Sequence, residues 1–191
     1  MAITSLRRHD RRQQALALVR EGLRTTPVYD LTGLAETEIR ALFKAIHGRS
    51  PPSGAIPTSA SFCSSRRAQA ELSIALGIYQ QTAGAGHPRT VTGDRLLQTQ
   101  ALYQALWPTI GTEPRFDLTD LWVAARDLGS GVIRLSACER CGLAFAVAFN
   151  QEVPPSCPFC YFRRHRKPGR PGMHAEDHAR RTCSVSAYAR E

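Results

Sequence analysis

Four of the chain's six cysteines fall within 23 residues, CERCGLAFAVAFNQEVPPSCPFC, as two C-x-x-C pairs: Cys138 with Cys141, and Cys157 with Cys160. Three chemistries use paired cysteines: thiol–disulfide exchange, a disulfide clamp, or metal binding. Fifteen residues between the pairs match the spacing of a four-cysteine zinc site. Each C-x-x-C can bend as a knuckle that presents two thiolates to one ion, with Gly142 supplying permissive backbone after the first pair and Pro158 stiffening the second. A thioredoxin-like reading lacks the strand–helix–strand context around either pair. Four thiolates close the coordination shell of a zinc ion and leave no position for water, which indicates one structural Zn2+ per chain rather than a catalytic one.

The remaining candidates are weaker. Cys63 and Cys183 are single thiols and read as packing or solvated residues. His174 and His178 are one helical turn apart in a basic segment and read as solvated. Gly84-Ala-Gly86 is no phosphate loop, because no strand precedes it and no Lys-Ser/Thr follows. No acid–base or nucleophilic constellation supports an enzyme.

Charge points to the partner. Residues 1–24 hold six arginines against Asp10 and Glu21, and residues 161–191 hold eight Lys or Arg against Glu176, Asp177 and Glu191. The 136 residues between them hold eleven of each sign, so the whole net charge of +9 lies at the two ends. Only Lys44 and Lys167 are lysines. Arginine forks grip phosphate bidentately, and a polyanion such as nucleic acid is the natural partner. The longest apolar run near the N-terminus, Ala15 to Val19, is too short for a signal peptide, and no segment approaches a bilayer span. A cytoplasmic protein with no membrane contact is expected, where thiols stay reduced and disulfides are rare.

Around the cysteines, apolar periodicity predicts a mainly α protein. Leu16, Val19 and Leu23 recur at helical spacing from Arg7 to Leu23. A second helix is expected to start with Thr26 as N-cap and Pro27 at its first position, and to end at Thr32-Gly33. A third, from about Leu34 to Gly48, places Ile39, Leu42, Phe43 and Ile46 on one stripe and Arg40, Lys44 and His47 on the other. Helix, glycine turn, helix over about 26–48 is the layout of a helix-turn-helix. Three prolines and a glycine make 50–57 a connector. Further helices are expected over 64–81, over 92–107 carrying Leu96, Leu97, Leu102, Tyr103 and Leu106 with Pro108 closing it, and from Asp117 as N-cap to Leu128. At Val132 the period becomes 2, with Leu143, Phe145, Val147 and Phe149 alternating against Ala144, Ala146 and Ala148. The expected organisation is a helical domain over 1–131, a zinc-ribbon-like β module over 132–161 and a basic, largely irregular tail over 162–191.

Three stretches together resemble the FlhC family, the C subunit of the bacterial flagellar master transcriptional regulator: LTGLAETEIRALFKAIHGRSPPSGAIP over Leu31–Pro57, LGSGVIRL over Leu128–Leu135, and the four cysteines. The resemblance spans about residues 14–160. It implies a zinc-containing, mostly helical DNA-binding subunit that acts with an FlhD-type partner subunit in a heterohexamer and activates flagellar promoters through RNA polymerase. It also implies that Cys138, Cys141, Cys157 and Cys160 are the metal ligands. Ala35 stands where the family has a polar helix cap, and residues 58–67 lack the tryptophans expected there. Candidate DNA contacts are Arg40, Lys44 and Arg49 on the third helix and Arg163, Arg164, Arg166, Lys167 and Arg170 after the second knuckle, with Arg7, Arg8, Arg11 and Arg12 as a further anchor. Glu36 and Glu38 in the third helix's first turn are expected to repel phosphate. The competing function is a zinc-ribbon adaptor that contacts proteins without binding DNA.

Overall fold

A computed structural model describes residues 2–82, 90–110 and 113–165 of the chain. Gly84-Ala-Gly86, Arg166, Lys167, Arg170, His174, His178, Cys183 and the tail around them lie outside the described residues. The chain divides into one compact unit, Met1–Tyr161, and a second beginning at Phe162. In order, the elements are α1 (Ala2–Arg20), α2 (Thr25–Thr32), α3 (Glu36–His47), α4 (Ser59–Phe62), α5 (Arg66–Thr82), α6 (Gly93–Ile110), α7 (Leu118–Ser130), β1 (Ile133–Ala137), β2 (Ala144–Ala148) and α8 (Pro158–Arg164).

Helices α1, α2 and α3 pack on one another, and α5, α6 and α7 form a second group that α1 meets through α6. That meeting is close. A Cβ added at Gly93 would lie 3.1–3.2 Å from Gln14 and Leu18, so glycine lets α6 approach α1. One apolar core runs through both groups, from Leu18, Val19 and Leu23 through Ile39, Phe43, Leu72 and Tyr79 to Tyr103 and Trp122.

Several boundaries differ from the pattern reading for local reasons. Helix α2 starts at Thr25 with Arg24, not Thr26, at the cap position, and no side chain caps it. Pro27 therefore sits third in the helix, still within the first turn, where a missing N–H breaks no intrahelical bond. His47, expected on the solvent side of α3, turns inward. Its Nε2 donates to the Val19 carbonyl at 2.7 Å and its ring lies 4.4 Å from that of Phe43, while Ile46 faces out. The driving force is a carbonyl near the C-terminus of α1 that accepts a second donor there. Helix α6 runs to Ile110, past Pro108, because proline's fixed φ is helical and near a helix end costs only one bond. Its buried face holds Leu96, Tyr103 and Trp107, whereas Leu102 and Leu106 are exposed.

The two strands pair antiparallel, with Ile133 opposite Ala148 and Leu135 opposite Ala146. The alternation expected for β2 is hidden because both faces are covered. Phe145 and Val147 pack with the cysteines, while Ala146 and Ile133 join the helical core. Leu143 and Phe149 lie beyond the strand ends and are exposed, Phe149 by 74%. The outer edge of β2 is closed by side chains of α5. Ser73 Oγ accepts the Ala146 N–H at 2.9 Å, and Gln69 Nε2 donates to the Ala146 carbonyl at 2.8 Å. Gln69 and Ser73 are themselves buried, so these bonds replace a missing third strand inside the core. Gln69→Ala leaves the Ala146 carbonyl buried without that donor and should cost about 1–3 kcal/mol. Urea unfolding of the variant checks this, and an unchanged midpoint would contradict the edge-closing role.

Asp117 caps α7 as expected, and in a reciprocal box: Asp120 N–H donates to Asp117 Oδ1 at 2.9 Å and Asp117 N–H to Asp120 Oδ2 at 3.2 Å. Burial, then the Asp117 carboxylate, push the Asp120 carboxyl from the usual 3.8 up to about 6. A folded value above the unfolded one means that this group favours the fold below about pH 4 and that its contribution is lost as pH rises through about 6. Asp120→Asn keeps an oxygen for the Asp117 N–H and removes the ionisation. Wild type should therefore lose melting temperature relative to the variant between pH 4 and 7; parallel pH profiles would show that the Asp120 charge does not oppose folding.

Candidate metal centre

The first knuckle is the β1–β2 hairpin itself. Cys138 follows β1, its N–H donates to the Leu143 carbonyl at 3.0 Å, and Gly142 N–H donates back to the Cys138 carbonyl at 2.8 Å. That turn needs Gly142 at φ 73°, in the left-handed region where a Cβ is strained. The second knuckle is the entry to α8. Cys157 precedes Pro158, whose lack of an N–H is harmless at the first helical position, and Cys160 N–H donates to Cys157 Sγ at 3.3 Å.

Together the knuckles bring all four Sγ atoms within 4.8 Å of one another. Cys138, Cys157 and Cys160 are buried and Cys141 is the most exposed of the four. The cysteines are free, and Cys141 Sγ stands 3.5 Å from Cys157 Sγ, a non-bonded separation. A tetrahedral ion at about 2.3 Å from each sulfur would separate them by about 3.8 Å, so the spacing fits a single ion. The donor set is four sulfurs, which suits a thiophilic cation and leaves no position for a substrate.

Electrostatics within the cluster is uneven. Backbone N–H groups of Cys157 and then Cys141 lower the Cys138 thiol to about 6. Burial raises Cys157, and burial followed by the neighbouring sulfurs pushes Cys160 up to about 12. A bound cation would favour the thiolate form of all four sulfurs.

Arg66 ties this centre to the helical core. Its Nη1 reaches the Ser156 carbonyl at 3.5 Å and Gln69 Oε1 at 3.3 Å, and its guanidinium lies 5.8 Å from the centroid of the Tyr161 ring. Sequence reasoning did not single out Arg66 or Gln69, since a polar stripe on a helix ordinarily marks its solvent side.

The basic candidates are distributed. Arg40 pairs with Glu36 at 2.8 Å, Lys44 is exposed on the same face of α3, and Arg49 is exposed beyond Gly48. Glu38 is held between Arg12 at 3.5 Å and Arg8 at 3.9 Å, so both carboxylates of the first turn of α3 have cationic partners. Arg163 and Arg164 form the last turn of α8 and are exposed.

Known proteins are similar in sequence to this chain over most of its length. Residues 2–172 match the family described as flagellar transcriptional activator (FlhC). Relatives named flagellar transcriptional regulator FlhC include one from Paraburkholderia atlantica, 29% identical over 76% of this chain and 67% of its own length. Others are from Enterobacter cloacae, 28% identical over 76% of each chain, and Serratia marcescens, 28% identical over 74% of this chain and 72% of its own. No helix among the described residues is long and apolar enough to cross a membrane. A helical body, a two-stranded sheet and a four-cysteine cluster thus occur in a chain that belongs to the FlhC family of flagellar transcriptional activators, which are regulators and not enzymes.

Proposed function

We propose that this chain is the DNA-binding subunit of an activator complex that turns on flagellar genes, and that Cys138, Cys141, Cys157 and Cys160 hold one structural Zn2+. The observation that carries the metal reading is the convergence of four sulfurs within 4.8 Å at the tip of a hairpin too small to fold alone. A bound ion would supply cross-linking and charge neutralisation. The chain's own residues do the rest: Gly142 and Pro158 shape the knuckles, Arg66 and Gln69 fix the module on α5. The complex is completed by an FlhD-type partner subunit in a heterohexamer that engages promoter DNA and RNA polymerase. α2, the Gly33 turn and α3 form a helix-turn-helix whose contribution to DNA binding is phosphate contact from Arg40, Lys44 and Arg49. Arg163, Arg164, Arg166, Lys167 and Arg170 add a second basic anchor after the metal module.

Metal analysis should give about one zinc per chain, because each C-x-x-C supplies half of a closed site. Cys157→Ala should lose that zinc and unfold the C-terminal module, since metal affinity here is folding free energy. Wild-type protein that is zinc-free both as purified and after reconstitution would remove the metal reading.

Neutralising Arg163, Arg164, Arg166, Lys167 and Arg170 together, in the complex with the partner subunit, should weaken binding to promoter and unrelated duplexes alike. The slope of log K against log salt should flatten by about 0.9 for each phosphate that is no longer neutralised. Unchanged affinity and slope would place the DNA surface on the helical body instead, while wild-type association insensitive to salt would favour a protein-only adaptor.

A further inference from the structure

The first turn of α2, one face of α3 and the proline-rich connector enclose a cleft of about 490 Å³. Three cations converge on it from different elements: Arg24 from the start of α2, and Arg40 and Lys44 one turn apart on α3. None of its lining residues is acidic. Thr25, Thr26, Ser50 and Ser53 add four hydroxyls to the wall. From the geometry of this cleft we infer that it is a clamp for a single phosphate group of the DNA backbone. The inference rests on the DNA-binding reading proposed above and names the place and the residues of one phosphate site.

Each component suits an anionic oxygen ligand such as a phosphate. Arg24 spends one N–H on the Ala55 carbonyl at 3.3 Å, which anchors the connector, and its fork keeps further donors for the cleft. Lys44 makes no ion pair among the described residues. Arg40 is held by Glu36, but an exposed helix pair of this kind is worth only about 0.3–0.5 kcal/mol, less than a charge-assisted bond to phosphate. At the end of α2 no side chain caps the helix, and Pro27 has no N–H, so the donors offered there are those of Thr25 and Thr26. Opposite them, Pro51 and Pro52 fix the connector's dihedrals, and Gly54 at φ 109° turns it at a position where a Cβ-bearing residue would be strained. The wall is preorganised, which spares the ordering cost of binding. Asp120 is the carboxylate that interacts with Arg24, and it is not among the residues lining the cleft.

A single clamp makes a specific prediction, because two cations that serve one phosphate cannot release it twice. Fluorescence anisotropy would measure the full chain, in complex with its partner subunit, on a promoter duplex and an unrelated duplex across a salt series. Lys44→Gln, which breaks no ion pair among the described residues, and Arg24→Gln should each weaken both duplexes by the same factor and reduce the salt slope by about 0.9. The double variant should also reduce it by about 0.9, not by about 1.8. Millimolar inorganic phosphate, at matched ionic strength, should compete with wild type more than with Lys44→Gln. Wild-type affinity and slope in Lys44→Gln, with steep salt dependence intact in the parent, would overturn the clamp and leave the DNA-binding reading standing. Additive reductions in slope would replace one clamp by two separate phosphate sites and also overturn it. Absence of salt-dependent DNA binding by the wild-type complex would overturn the DNA-binding reading and the clamp with it.

Discussion

A two-stranded sheet has an open edge on each strand and is marginal in water, and here one of those edges lies inside a protein core. The constraint is that Ala146 must find partners for a buried N–H and a buried carbonyl. Ser73 and Gln69, one turn apart on α5, provide both. This pairing sets the register of the sheet against the helices, and with it which face of β2 meets the helical core and which meets the cysteines. Arg66, one turn before Gln69, extends the same stripe to the Ser156 carbonyl beside the second knuckle. Both halves of the cysteine cluster are thereby referenced to one helix.

The cysteine spacing was legible because C-x-x-C knuckles are local: each needs only its own pair and a permissive neighbour such as Gly142. Capping by Asp117, the glycine stops at Gly33 and Gly48 and the Ile39–Phe43 stripe were legible for the same reason. What escaped was tertiary. Gln69 and Ser73 are polar residues that pattern as solvent-facing, and only the unsatisfied edge of a strand more than seventy residues away makes them core. His47 reads as surface until the end of α1 presents a carbonyl to it. Leu102 and Leu106 pattern as buried, yet α6 packs through Leu96, Tyr103 and Trp107. Arg24 gave no signal at all, since its neighbours across the cleft lie sixteen or more residues away along the chain.

Charge in the N-terminal helices follows a comparable logic. Glu36 and Glu38 stabilise the start of α3 through its dipole and would, alone, repel a phosphate backbone. Arg40 neutralises one, and Arg8 and Arg12 from α1 bracket the other. The acidic turn thus helps to join α1 to α3, while Lys44 makes no ion pair among the described residues.

Zinc K-edge X-ray absorption on the purified full chain tests the proposed metal site most directly, because it reads the donor atoms themselves. Four sulfurs at about 2.3 Å and no nitrogen or oxygen around the metal is the result expected of Cys138, Cys141, Cys157 and Cys160 acting together. A shell containing a light-atom donor, or fewer than four sulfurs, would contradict a closed four-cysteine site and with it a purely structural ion.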